Sequence, residues 1–326
     1  MMTVANDDVG LRLESLLWSR VKEQNRRILK NKSKILVHYT SSSTLLNILQ
    51  RQEVWMRNAR GMNDFSEIRY ARKLFLSYFL DQNRRAVFAK ACNDCHKNSF
   101  VSLSNFFDGN ISYVENQTYI TCLSIHDKKK DAGGRLSMWR GYGGGAVAAA
   151  VVIKKHSVMN LPFGIIGVKV EYPDEKGFFE SIDEIKDYLI MHKNAFSSVP
   201  ADIFIKFIVA KLQIILSTTK HPGFREEEEW RLLYMPNMFK SDPLEALKAQ
   251  AAPKGIPETI YKIPIGKALG PQAVATVDEL VEQVIIGPCA EVDLAILAIK
   301  DALNEAKHRR WDKVVRSCGI PYRERI

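Results

Sequence analysis

The chain has 326 residues, of which 46% are hydrophobic and 26% charged, so it can bury a core and is not a disordered protein. Lysine and arginine number 47 against 37 aspartates and glutamates, and the formal charge of +10 favours polyanionic partners.

Three features predict a cytoplasmic protein with no membrane partner. The longest wholly apolar run, residues 146–153, is far shorter than the roughly 20 residues that cross a bilayer. The acidic start lacks the order of a signal peptide. Five scattered cysteines fit reduced thiols. Because Cys92, Cys95 and His96 have no second ligand pair at finger-like spacing, no metal site is predicted.

Residues 1–34 are predicted to form a basic N-terminal helix. Residues 10–34 have apolar positions near helical spacing and carry eight basic residues against two acidic ones. Two interpretations stay open: a solvated helix face, or a surface that contacts nucleic acid. Residues 305–325, with seven basic and three acidic residues, would also suit a phosphate backbone.

From residue 35 onward, strands and helices mix without strict alternation, which predicts an α+β fold with mixed, mainly antiparallel sheets in one domain over residues 35–326. Strands are predicted at 35–39, 54–56, 119–123, 146–153, 165–171, 230–234 and 281–287. Helices are predicted at 66–80, 182–193, 201–217 and 291–306. Residues 81–113 read as helical and then loop-like, and 235–256 as an insertion.

The most informative window is an acidic run before a strand. Four glutamates occupy positions 226–229, and Trp230 and Arg231 follow. If the window is extended, alternation places Glu227, Glu229 and Arg231 on one face. Adjacent carboxylates repel one another unless water or a cation compensates them. An exposed acidic turn before the strand is the other interpretation.

Other candidates have ordinary structural explanations too. His38 ends an apolar strand, where a satisfied core or surface histidine is common. Asp64 and Glu67 suit the first turn of a helix. The glycines at 141 and 143–145 are followed by a predicted strand and by no lysine-serine pair, which favours a turn over a phosphate loop.

The order of motifs resembles a bacterial family catalogued as a domain of unknown function, number 2971, which includes abortive-infection phage-defence proteins. The motifs are His38-Tyr39-Thr40, Trp55 with Asn63-Asp64 and Glu67, Cys122-Leu123-Ser124, Met138-Trp139 with Tyr142, Glu227-x-Glu229-Trp230-Arg231, and Ile320-Pro321-Tyr322-Arg323. The similarity runs from about residue 35 to the C-terminus.

The layout is also similar to NAD-dependent ADP-ribosyltransferases, including DarT-type toxins that modify nucleic acid. This resemblance implies an ADP-ribosyltransferase-like core, NAD as substrate, RNA or DNA as acceptor, and an antitoxin or regulatory protein as a possible partner. It implies Glu229 and Glu227 as catalytic residues. It implies that NAD is bound by His38, Tyr39, Thr40, Asn63, Asp64, Ser124, Trp139 and Tyr142.

Breaking the bond between nicotinamide and ribose develops positive charge on the sugar, which a fixed carboxylate would stabilise. Two alternatives stay open. A metal-dependent nuclease would use Asp64, Glu67, Glu227 and Glu229 as ligands. A non-catalytic nucleic-acid-binding or sensor module would use only the basic surfaces.

Overall fold

The computed structural model describes residues 8–61, 65–143, 147–158, 161, 164–238, 240–269, 272–273 and 275–321. The helices within these residues are α1 Asp8–Lys30, α2 Ser42–Arg51, α3 Phe65–Leu80, α4 Gln82–Cys95, α5 Ser99–Asn116, α6 Leu136–Gly143, α7 Glu175–Met191, α8 Lys193–Ser197, α9 Ala201–Thr218, α10 Asp242–Glu245, α11 Val277–Leu280 and α12 Val292–Glu305. The strands are β1 Lys34–Ser41, β2 Glu53–Asn58, β3 Tyr119–Asp127, β4 Ala148–Ile153, β5 Ile165–Lys169, β6 Glu229–Tyr234, β7 Lys248–Ala251, β8 Glu258–Pro264, β9 Ala268–Leu269, β10 Gln272–Ala273, β11 Val281–Ile286 and β12 Val315–Ser317.

The main sheet is mixed and mostly antiparallel, which confirms the predicted α+β class. Its order is β12-β11-β4-β1-β3-β2-β8-β7, and β6 pairs with both β3 and β5. Among the named strands, β11 and β12 run parallel and the other pairs are antiparallel.

Strand β3 is the point at which the sheet forks. Its residues 124–127 pair with β1, and its residues 119–120 pair with β2. Strand β6 pairs with residues 119–124 along the opposite edge. Strands β1 and β2 therefore share one edge of β3 and leave residues 121–123 between them.

Two main cores hold the layers together. Helices α3, α4, α5, α7, α8 and α9 enclose an aromatic-rich core that includes Tyr78, Phe88 and Phe204. A second core lies between the sheet and helices α2 and α12 and includes Leu36 and Trp230. Strand β4 is buried along its whole length, as its unbroken apolar run predicts.

Several element bounds differ from the sequence-based expectation. The N-terminal helix ends at Lys30, and β1 begins at Lys34. The loop predicted within 81–113 was wrong, because Asp81 caps α4 by accepting from the backbone N–H groups of Asn83 and Arg84, and α5 follows.

The predicted insertion at 235–256 contains α10 and β7, and β7 pairs with β8. The predicted boundary of the single domain at residue 35 stays a prediction. In the described part of the chain, no helix is long and apolar enough to cross a membrane.

Candidate active site

The acidic run is a helical turn followed by a strand. Residues 222–227 form a 3-10 turn, Glu228 adopts a left-handed conformation with φ of 40°, and β6 begins at Glu229. Strand alternation therefore applies to Glu229 and Arg231 but not to Glu227, because the left-handed residue breaks the extended backbone before it. The prediction that all three share a strand face was wrong for Glu227.

Glu229 is buried and held by two cations. Its carboxylate oxygens accept from Arg231 Nε at 2.8 Å and Nη2 at 2.9 Å, and Lys220 Nζ lies 3.5 Å away. Burial alone would raise the pKa of Glu229, but Arg231, Lys220 and the Cys122 thiol lower it to about 2. The carboxylate is therefore ionised at neutral pH.

Lys220 connects the two candidate glutamates. Its Nζ donates to Glu227 Oε2 at 2.6 Å and lies 4.6 Å from the ring centre of Phe224. The Lys220 side chain is 5% exposed and the Glu227 side chain is 26% exposed. We call Lys220, Glu227, Glu229 and Arg231 the charge cluster. No local sequence pattern pointed to Lys220, because it precedes Glu227 by seven positions outside any regular element.

Each of the four adjacent glutamates has its own hydrogen-bond donor. Arg231 and Lys220 bind Glu229 and Glu227, as described above. Ser137 Oγ donates to Glu226 Oε1 at 2.7 Å, and Arg135 Nη2 donates to Glu228 Oε2 at 2.7 Å. Separate donors therefore offset the repulsion expected from four neighbouring carboxylates.

Arg135 connects the loop after β3 to the 3-10 turn at residues 222–227 through hydrogen bonds. Besides Glu228, it donates to the carbonyl oxygens of Ile125 at 2.9 Å and Glu226 at 2.5 Å, and to Asp131 at 2.9 Å. Sequence reasoning missed this residue, because its partners are 4 to 93 positions away along the chain.

The strands that carry His38, Ser124 and Glu229 are neighbours in the sheet: β1 and β6 each pair with β3. Ser124 of β3 is in register with Glu229 of β6 and with Val37 of β1. Residues in register on antiparallel strands point to the same face, so Ser124 and Glu229 share a face. His38 is the next residue after Val37 and therefore lies on the opposite face, where its β4 partner is Val151.

His38 lies at the fork in the sheet. Its Nδ1 contacts the carbonyl oxygen of Cys122 at 2.9 Å, and because a carbonyl only accepts, Nδ1 carries the proton. Burial lowers the pKa of His38, and this hydrogen bond partly opposes the shift. The imidazole is therefore neutral at pH 7. Thr40 is buried beside Ala149 of β4.

The predicted aromatic residues form one cluster on β1 and α6. Tyr39 lies 4.9 Å from Trp139 and 6.1 Å from Tyr142, measured between ring centres. Trp139 is buried, and its indole nitrogen donates to the Gly133 carbonyl at 2.9 Å. A Cβ at Gly134 would lie 2.5 Å from the Trp139 ring. Because Trp139 is enclosed in this way, half-buried Tyr142 is the better candidate for stacking on a ligand.

The remaining candidates are the residues around the start of α3, the C-terminal motif, and Cys92 and Cys95 with His96. Asn63, Asp64, Tyr322 and Arg323 lie outside the described residues, and Glu67 falls in the first turn of α3. Among the described residues, no group of three or more histidine, cysteine, aspartate or glutamate side chains is placed to hold a metal ion. Cys92 and Cys95 are buried in the helical core, and the His96 ring contacts the Phe196 carbonyl at 2.9 Å.

A comparison with family models covers the central part of the chain. Residues 138–232 match the family described as Protein of unknown function (DUF2971). The match supports the similarity to this family that the motif order predicts. Comparisons with curated proteins and with solved structures gave no match.

The DUF2971 match runs from α6 to β6 and contains the whole charge cluster. Three residues described above lie before the matched segment: Ser124, whose strand pairs with β6, Arg135, which binds Glu228, and His38, whose strand pairs with β3. The candidate site is therefore assembled from the DUF2971 segment and the two preceding strands β1 and β3.

Proposed function

We propose that this protein transfers ADP-ribose from NAD to a nucleic acid, with Glu229 as the carboxylate that stabilises the ribosyl cation. One observation carries the proposal: β1 and β6 flank β3, and Ser124 of β3 is in register with both Val37 and Glu229. An early strand with histidine, a middle strand and a late strand with glutamate is the layout that the resemblance implies.

The electrostatics of Glu229 suit this reaction. When the bond between nicotinamide and ribose breaks, nicotinamide keeps the bonding electrons and positive charge develops on the sugar. Because the pKa of Glu229 is about 2, its carboxylate is charged at neutral pH and can offset that charge. A nucleophilic atom of the acceptor then bonds to the sugar and loses its proton. Glu227, the more exposed carboxylate of the pair, would accept this proton.

The charge cluster explains how Glu229 is held before substrate binds. Two carboxylates and two cations balance, so the cluster exerts little net field on its surroundings. NAD brings a diphosphate with two negative charges. A phosphate oxygen that accepts from Lys220 or Arg231 would weaken the hold of that cation on Glu229 and leave the carboxylate free to face the ribose.

The neutral imidazole of His38 has a structural role at the fork in the sheet. Its Nδ1 proton is used by the Cys122 carbonyl, so the hydrogen bond joins β1 to residue 122 of β3 in the gap between β1 and β2. Because His38 lies on the face of the sheet opposite Glu229, it does not reach the ribose that Glu229 would stabilise, and the proposal rests on Glu229, Glu227 and their cations.

The test combines labelled NAD with mixed RNA and DNA and follows nicotinamide release and label transfer. Glu229→Gln should lower turnover about 100- to 1,000-fold, as expected for one electrostatic stabiliser. Glu305→Gln, a change of the same kind at an exposed position on α12, should leave turnover unchanged. Equal turnover in both variants would reject Glu229 as the catalytic carboxylate.

The same assay separates the alternatives. Cutting of nucleic acid that a chelator blocks, without consumption of NAD, would support the nuclease and reject the transferase. Salt-sensitive binding of nucleic acid without either activity would support the sensor module.

A toxin-like role in phage defence has its own test. Expression of the wild-type chain in bacteria should arrest growth, and expression of Glu229→Gln should not. A partner gene whose co-expression restores growth would be the proposed antitoxin or regulator. Normal growth with an active wild-type enzyme would reject the toxin-like role and leave the enzymatic proposal in place.

A further inference from the structure

A cluster of lysines on the surface is assembled from three separate segments. Two segments meet where the backbone N–H of Lys128 donates to the carbonyl oxygen of Ser33 at 2.7 Å, and Lys34 is in register with Asp127. The third joins them through Lys155, whose Nζ donates to the carbonyl oxygens of Asn31 at 2.6 Å and Ile28 at 3.3 Å. We call the following residues the lysine patch: Lys30, Lys32, Lys34, Lys128, Lys129, Lys130 and Lys155.

Most of these charges face solvent. Five of the seven lysines are exposed, and Lys34 and Lys155 are half-buried. Lys128 forms an ion pair with Glu282, with Nζ and Oε1 3.6 Å apart. The carboxylate of Asp127 accepts from the backbone N–H groups of Lys129 and Lys130, which fixes the loop that carries them. A fixed surface with seven lysines attracts a polyanion, because bringing in phosphates relieves the repulsion between like charges.

We propose that the lysine patch binds the phosphate backbone of a nucleic acid and, on the proposed function, holds the acceptor next to the candidate site. Asp127 is three residues beyond Ser124 on β3, which places the edge of the patch about 10 Å from the position of Glu229 in the sheet. That distance is a few nucleotides of an extended strand.

The composition of the patch favours a nucleic acid over a membrane surface. Surfaces that bind bilayers combine basic residues with apolar side chains that enter the lipid. The strongly exposed large apolar side chains, such as Leu80, Met191 and Ile256, lie outside residues 28–34, 127–130 and 155. The patch therefore offers charge without an apolar anchor.

The test measures binding without NAD, so its result does not depend on the transferase reaction. A triple variant, K128Q/K129Q/K130Q, removes three charges from the patch. The matched control K176Q/K206Q/K240Q removes three charges from exposed lysines of other segments. Binding of labelled single- and double-stranded RNA and DNA is followed by fluorescence anisotropy over a range of salt concentrations.

The wild type and the control should bind with the same steep dependence on salt. For a single strand, the patch variant should lose about 2 from the slope of log K against log salt and bind roughly 100-fold more weakly at about 0.1 M salt. K30Q/K32Q, on another segment of the patch, should change binding in the same direction. This second variant decides the question if the loop variant is poorly folded.

Two outcomes would overturn the inference: equal binding by the patch and control variants, or patch-dependent binding to phosphatidylserine vesicles without binding to any of the nucleic acids. If binding depends on the patch but the protein never consumes NAD, the nucleic-acid-binding role of the patch is supported and the proposed transferase activity is rejected. If the protein transfers ADP-ribose but binding does not depend on the patch, the transferase activity is supported and the role of the patch is rejected.

Discussion

His38 and Glu229 contact the same residue of the middle strand from opposite directions. The imidazole Nδ1 of His38 donates to the carbonyl oxygen of Cys122, and the thiol of Cys122 donates to the Glu229 carboxylate. The two predicted site residues, 191 positions apart in the chain, are therefore linked through one residue while their side chains lie on opposite faces of the sheet.

The fork in the sheet depends on His38. In His38→Ala the carbonyl oxygen of Cys122 loses its donor, so the free energy of unfolding should fall by about 1–3 kcal/mol in urea titrations. His38→Asn retains a side-chain donor and should recover part of that loss. Unchanged stability in both variants would contradict the structural role.

The ion pairs of Glu229 predict a specific pH dependence of stability. Its pKa in the folded protein, about 2, is below the ordinary value of 4.5, so its contribution is fully present above about pH 4.5 and is lost as the pH falls toward 2. Unfolding free energies of wild type and Glu229→Gln should therefore differ by a constant amount near neutral pH and converge in acid. If the difference in unfolding free energy between wild type and Glu229→Gln grew as the pH fell, the lowered pKa of Glu229 in the folded protein would be contradicted.

Arg135 should stabilise the loop after β3 and the acidic turn together. Arg135→Gln removes charged hydrogen bonds to Asp131 and Glu228 and should lower the free energy of unfolding by about 2–4 kcal/mol. Arg140→Gln, at an exposed position on α6, should have little effect. Hydrogen exchange should become faster in both the 128–135 and the 222–228 segments. Faster exchange in only one of them would show that Arg135 does not couple the two.

Two glycines offer a matched pair of substitutions. A Cβ at Gly167 of β5 would lie 2.1 Å from the Trp230 ring. Among the described residues, and apart from the two chain neighbours and the backbone of α6, no heavy atom lies within 4 Å of a Cβ at Gly141. Gly167→Ala should destabilise the protein by about 1–3 kcal/mol through overpacking. Gly141→Ala should stabilise it by about 0.4–1 kcal/mol, because alanine loses less entropy in a helix. Thermal unfolding of both variants tests the packing of β5 on β6, and effects of the same sign would contradict it.

Much of the fold follows from local patterns in the sequence. The run at 146–153 indicates a buried strand because no polar residue interrupts it, and β4 occupies this place. The β-type runs at 35–39 and 281–287 also indicate strands, and β1 and β11 occupy them. The interior of 81–113 was misjudged because its apolar spacing is irregular, and the helices there are stabilised by tertiary packing of aromatic residues.

For the candidate site as well, part of the arrangement follows from local sequence patterns and part from contacts between distant residues. The sequence by itself determined that acidic residues precede the β6 strand, that basic residues collect in the N-terminal helix, and that Glu229 was the glutamate to test. Only the tertiary structure decided what those charges contact. Lys220 and Arg231 neutralise the glutamates, and a loop nearly 100 residues after α1 completes the lysine patch. The physical reason is that helix and strand periodicity is a local property of the sequence. Ion pairs and strand register join residues that are far apart along the chain, and no local pattern indicates which of them will come into contact.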